Sequence, residues 1–239
     1  MDNAEKINIY KDFSTLSDKY LNNDLFKFFI EKEHRLIHKW LHYFPIYEKW
    51  FKDFRNTDLV FVEIGVNQGG SLQMWKNYFG KKAQIIGIDI DERCKQCEED
   101  QITVEIGSQE DVEFWKYFKG KYPRVDVLLD DGGHTMNQQI ITFSAMFPHI
   151  KNEGVYMCED CHTSYWEEYG GGFRKPGSYI EFAKLLIDAI NAFHIGEKRP
   201  PNYLTMNMGG IHFYDSIVVV EKSERHTHPE AFKIGTPAF

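Results

Sequence analysis

Two stretches concentrate side chains able to do chemistry: Leu129-Asp-Asp-Gly-Gly-His-Thr135 and Met157-Cys-Glu-Asp-Cys-His162. Each continues a short apolar, β-branched run, Val125–Asp130 or Val155–Cys158, so each reads as a strand entering a polar loop. If those strands are neighbours, Asp130, Asp131, Glu159 and Asp160 converge on one cleft. Converging carboxylates repel each other unless a cation sits among them. Oxygen donors suit a hard divalent ion such as Mg2+. His134 follows a Gly-Gly turn that can fold it over the same cleft, where a neutral imidazole is suited to general-base work. The plainer alternatives are an Asp130 that caps the next helix or binds a cofactor's amino group, and a His134 that is simply a satisfied loop residue. His162 is a weaker candidate, for substrate contact.

A second set of residues suggests a nucleoside ligand. The run Phe61-Val-Glu-Ile-Gly-Val-Asn-Gln-Gly-Gly70 is a strand, a glycine turn and the start of a helix near Ser71. Gly65 and Gly69 allow a sharp turn and a close approach of backbone to ligand. The pattern is neither G-x-G-x-x-G nor a P-loop. Glu63, just before the first glycine, repels phosphate and welcomes a cation or an amine. Asp89 ends the next strand, where an acid accepts hydrogen bonds from ribose hydroxyls, with Asp91 as runner-up. Ser108 and Gln109 follow the third strand and can meet an adenine edge. Together these residues suggest an adenosine-containing ligand without a pyrophosphate, and S-adenosylmethionine, an adenosine with a sulfonium and an amino acid, fits that expectation.

The elements that must position these residues can be read from periodicity. Strands are expected over Leu59–Ile64, Gln84–Ile88, Ile102–Ile106, Val125–Asp130 and Val155–Cys158. Helices are expected over Ser71–Tyr78, Glu92–Glu99, Asp111–Lys119 and Asn137–Phe147. Near-continuous apolar strands alternating with helices give an α/β fold: a doubly wound, Rossmann-like, mostly parallel sheet. Ile211–Tyr214 and Ile217–Glu221, joined by Asp215-Ser216, add an antiparallel hairpin and bring the sheet to seven strands. Residues 179–194 read as one further helix. Residues 13–55 read as helical, with an aromatic stretch in which His42, Tyr43 and Tyr47 are candidate pocket residues. The expected organisation is an N-terminal helical cap over 1–55 and a catalytic domain over 56–239. Gly170–Gly172 marks a mobile loop beside the site.

Composition narrows the classes. The 239 residues are 42% hydrophobic and 27% charged, as expected of a globular chain and not of a disordered one. Acidic residues outnumber basic ones 36 to 28, which gives no global footprint for nucleic acid or an anionic membrane. No run approaches the ~20 apolar residues of a membrane span, and Met1–Tyr10 lacks a signal-peptide core. A cytoplasmic location is the expectation. The aromatic content of the cap hints at a subunit contact, hence a homo-oligomer. Cys94/Cys97 and Cys158/Cys161 form two C-x-x-C pairs. In the expected strand order they lie three strands apart, about 14 Å at ~4.8 Å per strand. That is too far for one zinc ion with Zn–S near ~2.3 Å, so unpaired thiols are expected.

Glu63-Ile-Gly-Val, Gly87-Ile-Asp89, Asp130-Asp-Gly-Gly-His134, Phe147-Pro-His149 and Glu159-Asp-Cys-His-Thr-Ser-Tyr-Trp166 resemble class I S-adenosylmethionine-dependent sugar O-methyltransferases. Within that family the resemblance is to the macrolide deoxysugar enzymes of the mycinamicin and macrocin type, over roughly residues 36 to 221. The resemblance implies Mg2+ held by Asp131, Glu159 and Asp160, and His134 as base. It also implies a sugar-containing acceptor, whether glycan, nucleotide sugar or glycosylated metabolite. Tyr165 and Trp166 offer aromatic faces to a pyranose ring. Against that family the chain is shorter at its N-terminus, which leaves the acceptor open. The rival readings are a nicotinamide-dependent oxidoreductase, a methyltransferase of a non-sugar hydroxyl, a non-enzymatic adenosine binder and an iron oxygenase.

Overall fold

The computed structural model describes residues 18–31, 35–225 and 227–239. Seven strands form one sheet: β1 Val60–Ile64, β2 Gln84–Asp89, β3 Ile102–Ile106, β4 Val125–Asp130, β5 Ile150–Cys158, β6 Met208–Tyr214 and β7 Ile217–Lys222. Their order is β3-β2-β1-β4-β5-β7-β6. The first five are parallel; β7 runs antiparallel to both β5 and β6. The helices are α1 Asp18–Leu21, α2 Asp24–Glu31, α3 Phe44–Phe51, α4 Gly70–Phe79, α5 Val112–Lys121, α6 Met136–Met146, α7 Tyr179–Ile190, α8 Ala192–Ile195 and α9 Tyr203–Asn207. This is the expected doubly wound sheet. The chain leaves β1 for β2 on one side, and β4 returns to pair with β1 on the other. A crevice therefore opens at the carboxyl ends of β1 and β4.

Both faces of the sheet are covered, which explains why every residue of β4 is buried. On one face Phe26, Tyr43, Phe44, Tyr47 and Phe51 pack with Phe61, Trp75 and Phe79. On the other, Phe114, Trp115 and Phe118 join Phe143, Tyr156 and Tyr179. The aromatic residues before β1 thus share a core with the sheet. Much of the 15% aromatic content is used here.

Several boundaries differ from the expectation. Residues 13–17 and 32–34 lie outside the described residues, as does Met1–Tyr10. Of the remainder of 13–55, α1, α2 and α3 are helical, and residues 36–40 are not. Trp40 is extended, with φ −70° and ψ 137°, before a short turn at Leu41–Tyr43. Local propensity loses here to a tertiary demand: Lys39 is drawn inward onto the strand tips, as described below. Glu92–Cys97 is a 3-10 segment rather than an α-helix, started by Asp91, whose carboxylate accepts from the Arg93 amide. The helix expected over 179–194 breaks at Asn191. β5 starts at Ile150, five residues earlier than its apolar run. The hairpin turn is as expected, with Ser216 at φ 63°.

All four cysteines are buried and free. β2, which precedes Cys94 and Cys97, and β5, which carries Cys158, are three places apart in the sheet. Among the described residues no helix is long and apolar enough to cross a membrane.

Candidate active site

The strand tips are locked by backbone hydrogen bonds. The Asp131 amide donates to the Ile64 carbonyl at 3.0 Å, and the Glu159 amide to the Asp130 carbonyl at 2.9 Å. At Gly65, φ is +96° and a Cβ would sit 1.9 Å from the Asp131 carbonyl oxygen. Any side chain there would push β1 away from the loop that carries Asp131 and His134.

His134 and Asp160 both adopt left-handed backbone, with φ 58° and 51°. Aspartate tolerates this region; a β-branched residue would not. Thr163 Oγ1 lies 2.9 Å from both the His134 and the Asp160 carbonyl oxygens, so one hydroxyl ties the two loops together. The result is a compact group. His134 Nε2 is 3.5 Å from Asp160 Oδ2 and 3.9 Å from Asp131 Oδ1. One donor atom from each of Asp131, His134 and Asp160 lies within 4.8 Å of the others. Two carboxylate oxygens and an imidazole nitrogen at this spacing fit a divalent cation. Tyr43 donates to Asp160 Oδ1 at 2.6 Å and orients it. Among the described residues, His134 Nδ1 is buried without a hydrogen-bond partner.

Glu159 faces elsewhere. Its Oε1 accepts from the Tyr47 hydroxyl, and its Oε2 from Lys39 Nζ at 2.9 Å. The Lys39 side chain, 3% exposed, also reaches Asp131 Oδ2 at 2.5 Å and Glu63 Oε1 at 3.4 Å. One ammonium thus joins the tips of β1, β4 and β5. Burial alone would lower its pKa, but the charges of Asp131, Glu159 and Glu63 prevail and hold it well above the ordinary value. The sequence reading missed Lys39, and no local pattern marks it. The available signal was indirect: so many carboxylates at neighbouring strand tips require a cation from somewhere in the chain.

A cavity of about 340 Å³ opens beside the cluster, lined by Gly65, Asp89, Ile90, Ser108, Gln109, Asp131, His134 and Asp160, among others. Asp89 is in the wall, and it first serves the glycine turn. Its Oδ2 accepts from the Val66 and Asn67 amides at 2.8 and 3.1 Å, and its Oδ1 from the Asp91 amide at 3.0 Å. A carboxylate has about four acceptor positions, so capacity for a hydroxyl remains. Asp91 is turned to Arg93 instead. Ile90, 74% exposed in the same wall, offers an apolar face beside Asp89 that the sequence reading passed over. His38 also lines the cavity.

Four residues expected at the cofactor have other engagements. Glu63 is fully buried beneath the turn, accepting from Ser71 Oγ at 2.6 Å and Trp75 Nε1 at 3.0 Å. Gly69 sits where a Cβ would meet Cys97 Sγ at 2.6 Å, so it serves packing. The Gln109 side-chain amide donates to Asp130 and Thr142 and accepts from the Gly133 amide, which fixes the 130–133 loop from inside. Asp130 is buried, held by Gln109 and Tyr156. None of Glu63, Gly69 and Asp130 is among the residues lining the cavity.

Burial pushes the Asp130 carboxyl up to about 6, against hydrogen bonds that lower it. A carboxyl raised above its unfolded pKa of ~3.9 binds its proton more tightly when folded. Its contribution to stability is present below pH 4 and is lost as pH rises to about 6. Asp130→Asn in EDTA is therefore expected to remove a decline on the order of 3 kcal/mol between these pH values. Chemical denaturation at pH 4 and 7 checks this; an unchanged pH profile would refute it.

On the outer side, the His162 ring packs edge-on against Trp166 at 4.6 Å and Trp40 at 6.0 Å between centroids. Trp40, Tyr165 and Trp166 are half-exposed. His162 Nδ1 is 3.2 Å from Ser216 Oγ. The structure thus brings His162 and Trp166 together and adds Trp40 from the N-terminal segment. Of the expected pocket residues in that segment, Tyr43 and Tyr47 orient carboxylates from behind, while His42 Nε2 meets the Asp215 carbonyl at 3.2 Å. The glycine loop is held down: the Gly171 amide donates to the Trp166 carbonyl at 2.9 Å and the Gly172 amide to that of Ser164 at 2.8 Å.

No protein-family model matches the chain. It is similar to a mycinamicin VI 2''-O-methyltransferase of Micromonospora griseorubida, 36% identical over 195 residues, covering 76% of this chain and 48% of the relative. It is also similar to a demethylmacrocin O-methyltransferase of Streptomyces fradiae, 33% identical over 200 residues, covering 77% and 50%. Among solved structures it resembles the MycE methyltransferase of the mycinamycin biosynthetic pathway, in complex with Mg, SAH and mycinamycin VI. There the TM-score is 0.73 and the identity 33%, over 84% of this chain and 53% of that one. The chain spans about half the length of the curated relatives it matches.

Proposed function

We propose that this chain, a relative of the sugar O-methyltransferases with the class I methyltransferase fold, transfers a methyl group from S-adenosylmethionine to a sugar hydroxyl with the help of a divalent cation. The observation that carries the reading is the Asp131–His134–Asp160 cluster at the edge of a nucleoside-sized cavity with Asp89 in its wall. Asp131 and Asp160 hold the cation, Mg2+ being the hard ion that their oxygens suit. Such an ion, when bound, lowers the pKa of a hydroxyl placed on it. His134 Nε2 takes the proton from the acceptor hydroxyl. The oxygen then forms its bond to the methyl carbon as the carbon–sulfur bond breaks, and the electron pair leaves with sulfur. Asp131 and Asp160 stabilise the imidazolium so formed, since both lie within 4 Å of it. Asp89 holds the ribose. Trp40 and Trp166 flank the acceptor ring, and much of the acceleration comes from alignment of the two substrates. Tyr165 and His162 complete the acceptor side.

The acceptor is a sugar-containing small molecule or a glycan precursor, met in the cytoplasm; the net acidic chain is not suited to nucleic acid. Glu63 and the lack of a pyrophosphate turn weigh against a nicotinamide cofactor. S-adenosylhomocysteine at 100 times its Kd is expected to raise the melting temperature by about 5–10 °C, and NAD to leave it unchanged. Labelled S-adenosylmethionine with a panel of glycosylated metabolites, sugar nucleotides and glycans is expected to label a hydroxyl in Mg2+ and not in EDTA, with recovery on adding Mg2+. Full transfer in chelator would remove the cation from the reading, and stabilisation by NAD alone would remove the methyl donor.

A further inference from the structure

Independently of the methyl-transfer reading, the geometry points to the C-terminal residues as an arm that adds a strand to the free edge of β6 in a second copy of this chain. Residues 227–239 are exposed throughout and form no helix or strand. Phe232 and Ile234 are 83% and 99% exposed, and Phe239 is fully so. The arm is anchored at its base, where the His228 ring packs edge-on against Phe193 at 5.1 Å and His194 at 5.6 Å between centroids. Beyond that base, among the described residues, no hydrogen bond joins 230–239 to the rest of the chain. Isolated apolar side chains on a surface are ordinary, but three on one short arm with no core beneath them mark an interaction segment. Phe232 and Ile234 are two residues apart, so in an extended chain they share a face and Lys233 takes the other. Pro229 and Pro237 cannot donate to a ladder and confine such a strand to the residues between them.

The matching edge is that of β6, which lies at the end of the sheet and, among the described residues, pairs with β7 alone. The two-residue turn Asp215-Ser216 makes Tyr214 and Ile217 a hydrogen-bonded pair. The alternation then turns the amides and carbonyls of Ile211 and Phe213 away from β7, toward the open edge. Such a row is a template for another strand. Phe213 is 42% exposed and shares a face with Ile211, so an antiparallel arm sets Phe232 beside Phe213 and Ile234 beside Ile211. Lys233 then stands beside His212, on the face that carries Glu221. Glu221 leans across β6 toward that edge: a Cβ on Gly210 would sit 2.4 Å from its Oε1. Its carboxylate meets His212 Nε2 at 2.5 Å, and the Lys233 ammonium supplies a further counter-charge. The arm is badly placed for its own edge. The Ser223 amide donates to the Asn207 carbonyl at 3.0 Å and the Arg225 amide to that of Met206 at 2.7 Å, so the chain leaves along the β7 side of β6. To return to its own edge it would have to round α9. In a two-fold pair each arm reaches the other copy's edge, and the assembly closes at two.

The test uses the full chain, read by sedimentation velocity and by amide hydrogen exchange. The unaltered protein is expected to be a dimer at about 50 μM, above the Kd of a standard-sized interface, with slow exchange at the Ile211 and Phe213 amides. Phe232→Glu/Ile234→Glu on the arm and Phe213→Pro on the edge, where only an outward amide is lost, are each expected to weaken the dimer on the order of 100-fold. If Phe213→Pro does not fold, Phe213→Lys is read in its place. An equimolar mixture of the arm variant and the edge variant should recover more dimer than either alone, since one intact arm can then meet one intact edge. A monomeric unaltered chain with rapid exchange at both amides overturns the proposal. Slow exchange in a monomer, lost in the arm variant, means that the arm lies on its own edge and overturns the second copy. A dimer that survives the arm variant, or one lost with the arm but kept in the Phe213 variants, overturns the pairing with β6.

Discussion

Replacing His134 by alanine should lower turnover by about a thousandfold, the middle of the range for a positioned general base. The affinity for S-adenosylhomocysteine and for Mn2+ should stay within threefold. The two halves of this expectation separate the roles open to the residue. His134 Nε2 lies 3.5 Å from Asp160 and 3.9 Å from Asp131, so by distance it can be a third ligand or a base. As a ligand it would supply one of the donors, and its loss would cost ion affinity along with rate. As a base it supplies only proton transfer, and the two carboxylates retain the ion. Its strained left-handed backbone, fixed by Thr163, favours a role that needs one orientation of the ring. Single-turnover rates with Mn2+ titrations on the same preparation decide the matter. Activity within a few-fold of the unaltered protein would refute the base, and a tenfold loss of Mn2+ affinity would reassign the residue as a ligand.

The sheet was legible because its signal is local. β1, β3 and β4 are short apolar runs bounded by turn residues, and burial on both faces leaves such runs little other choice. The gathering of Asp131, His134 and Asp160 was legible for a related reason: strand-end residues of neighbouring parallel strands must meet, whatever the loops do in detail. Side-chain direction was not. Glu159 and Asp160 are adjacent in the chain, yet one is sealed against Lys39 and Tyr47 and the other faces His134, because Asp160 turns into left-handed backbone. Nothing in the pair of letters records that turn. Lys39, Tyr43 and Tyr47 act on Asp131, Glu159 and Asp160 from a segment more than 80 residues earlier in the chain. Helical periodicity even suggested the wrong conformation for residues 36–40, since the pull of three carboxylates on one ammonium outweighs propensities of well under ~1 kcal/mol per residue. Glu63 was read correctly as an acid that welcomes a cation, but the cation is Lys39 and not a ligand's amine.

Asp160→Asn should have the second large effect. The substitution keeps the shape and an oxygen for the Tyr43 hydroxyl, but removes the charge. Mn2+ affinity is expected to fall on the order of 100-fold, more than loss of a supporting partner usually costs, and turnover should fall with it. Stability should hardly move, because Asp160 is about one-fifth exposed and its ion pairs are to histidines, with the core packing untouched. Tyr43→Phe should act in the same direction but more weakly, since it releases the carboxylate without neutralising it. The comparison with Glu159→Gln completes the argument. If all three carboxylates named by family resemblance were equivalent ligands, the two substitutions would weaken Mn2+ binding alike. With Glu159 tied to Lys39 and Tyr47, Asp160→Asn should cost far more. Mn2+ titration of the two variants side by side checks the order. A larger loss in Glu159→Gln would mean that Glu159 leaves Lys39 when the ion arrives, and that the ion is held by the tips of β4 and β5 as the family pattern alone implies.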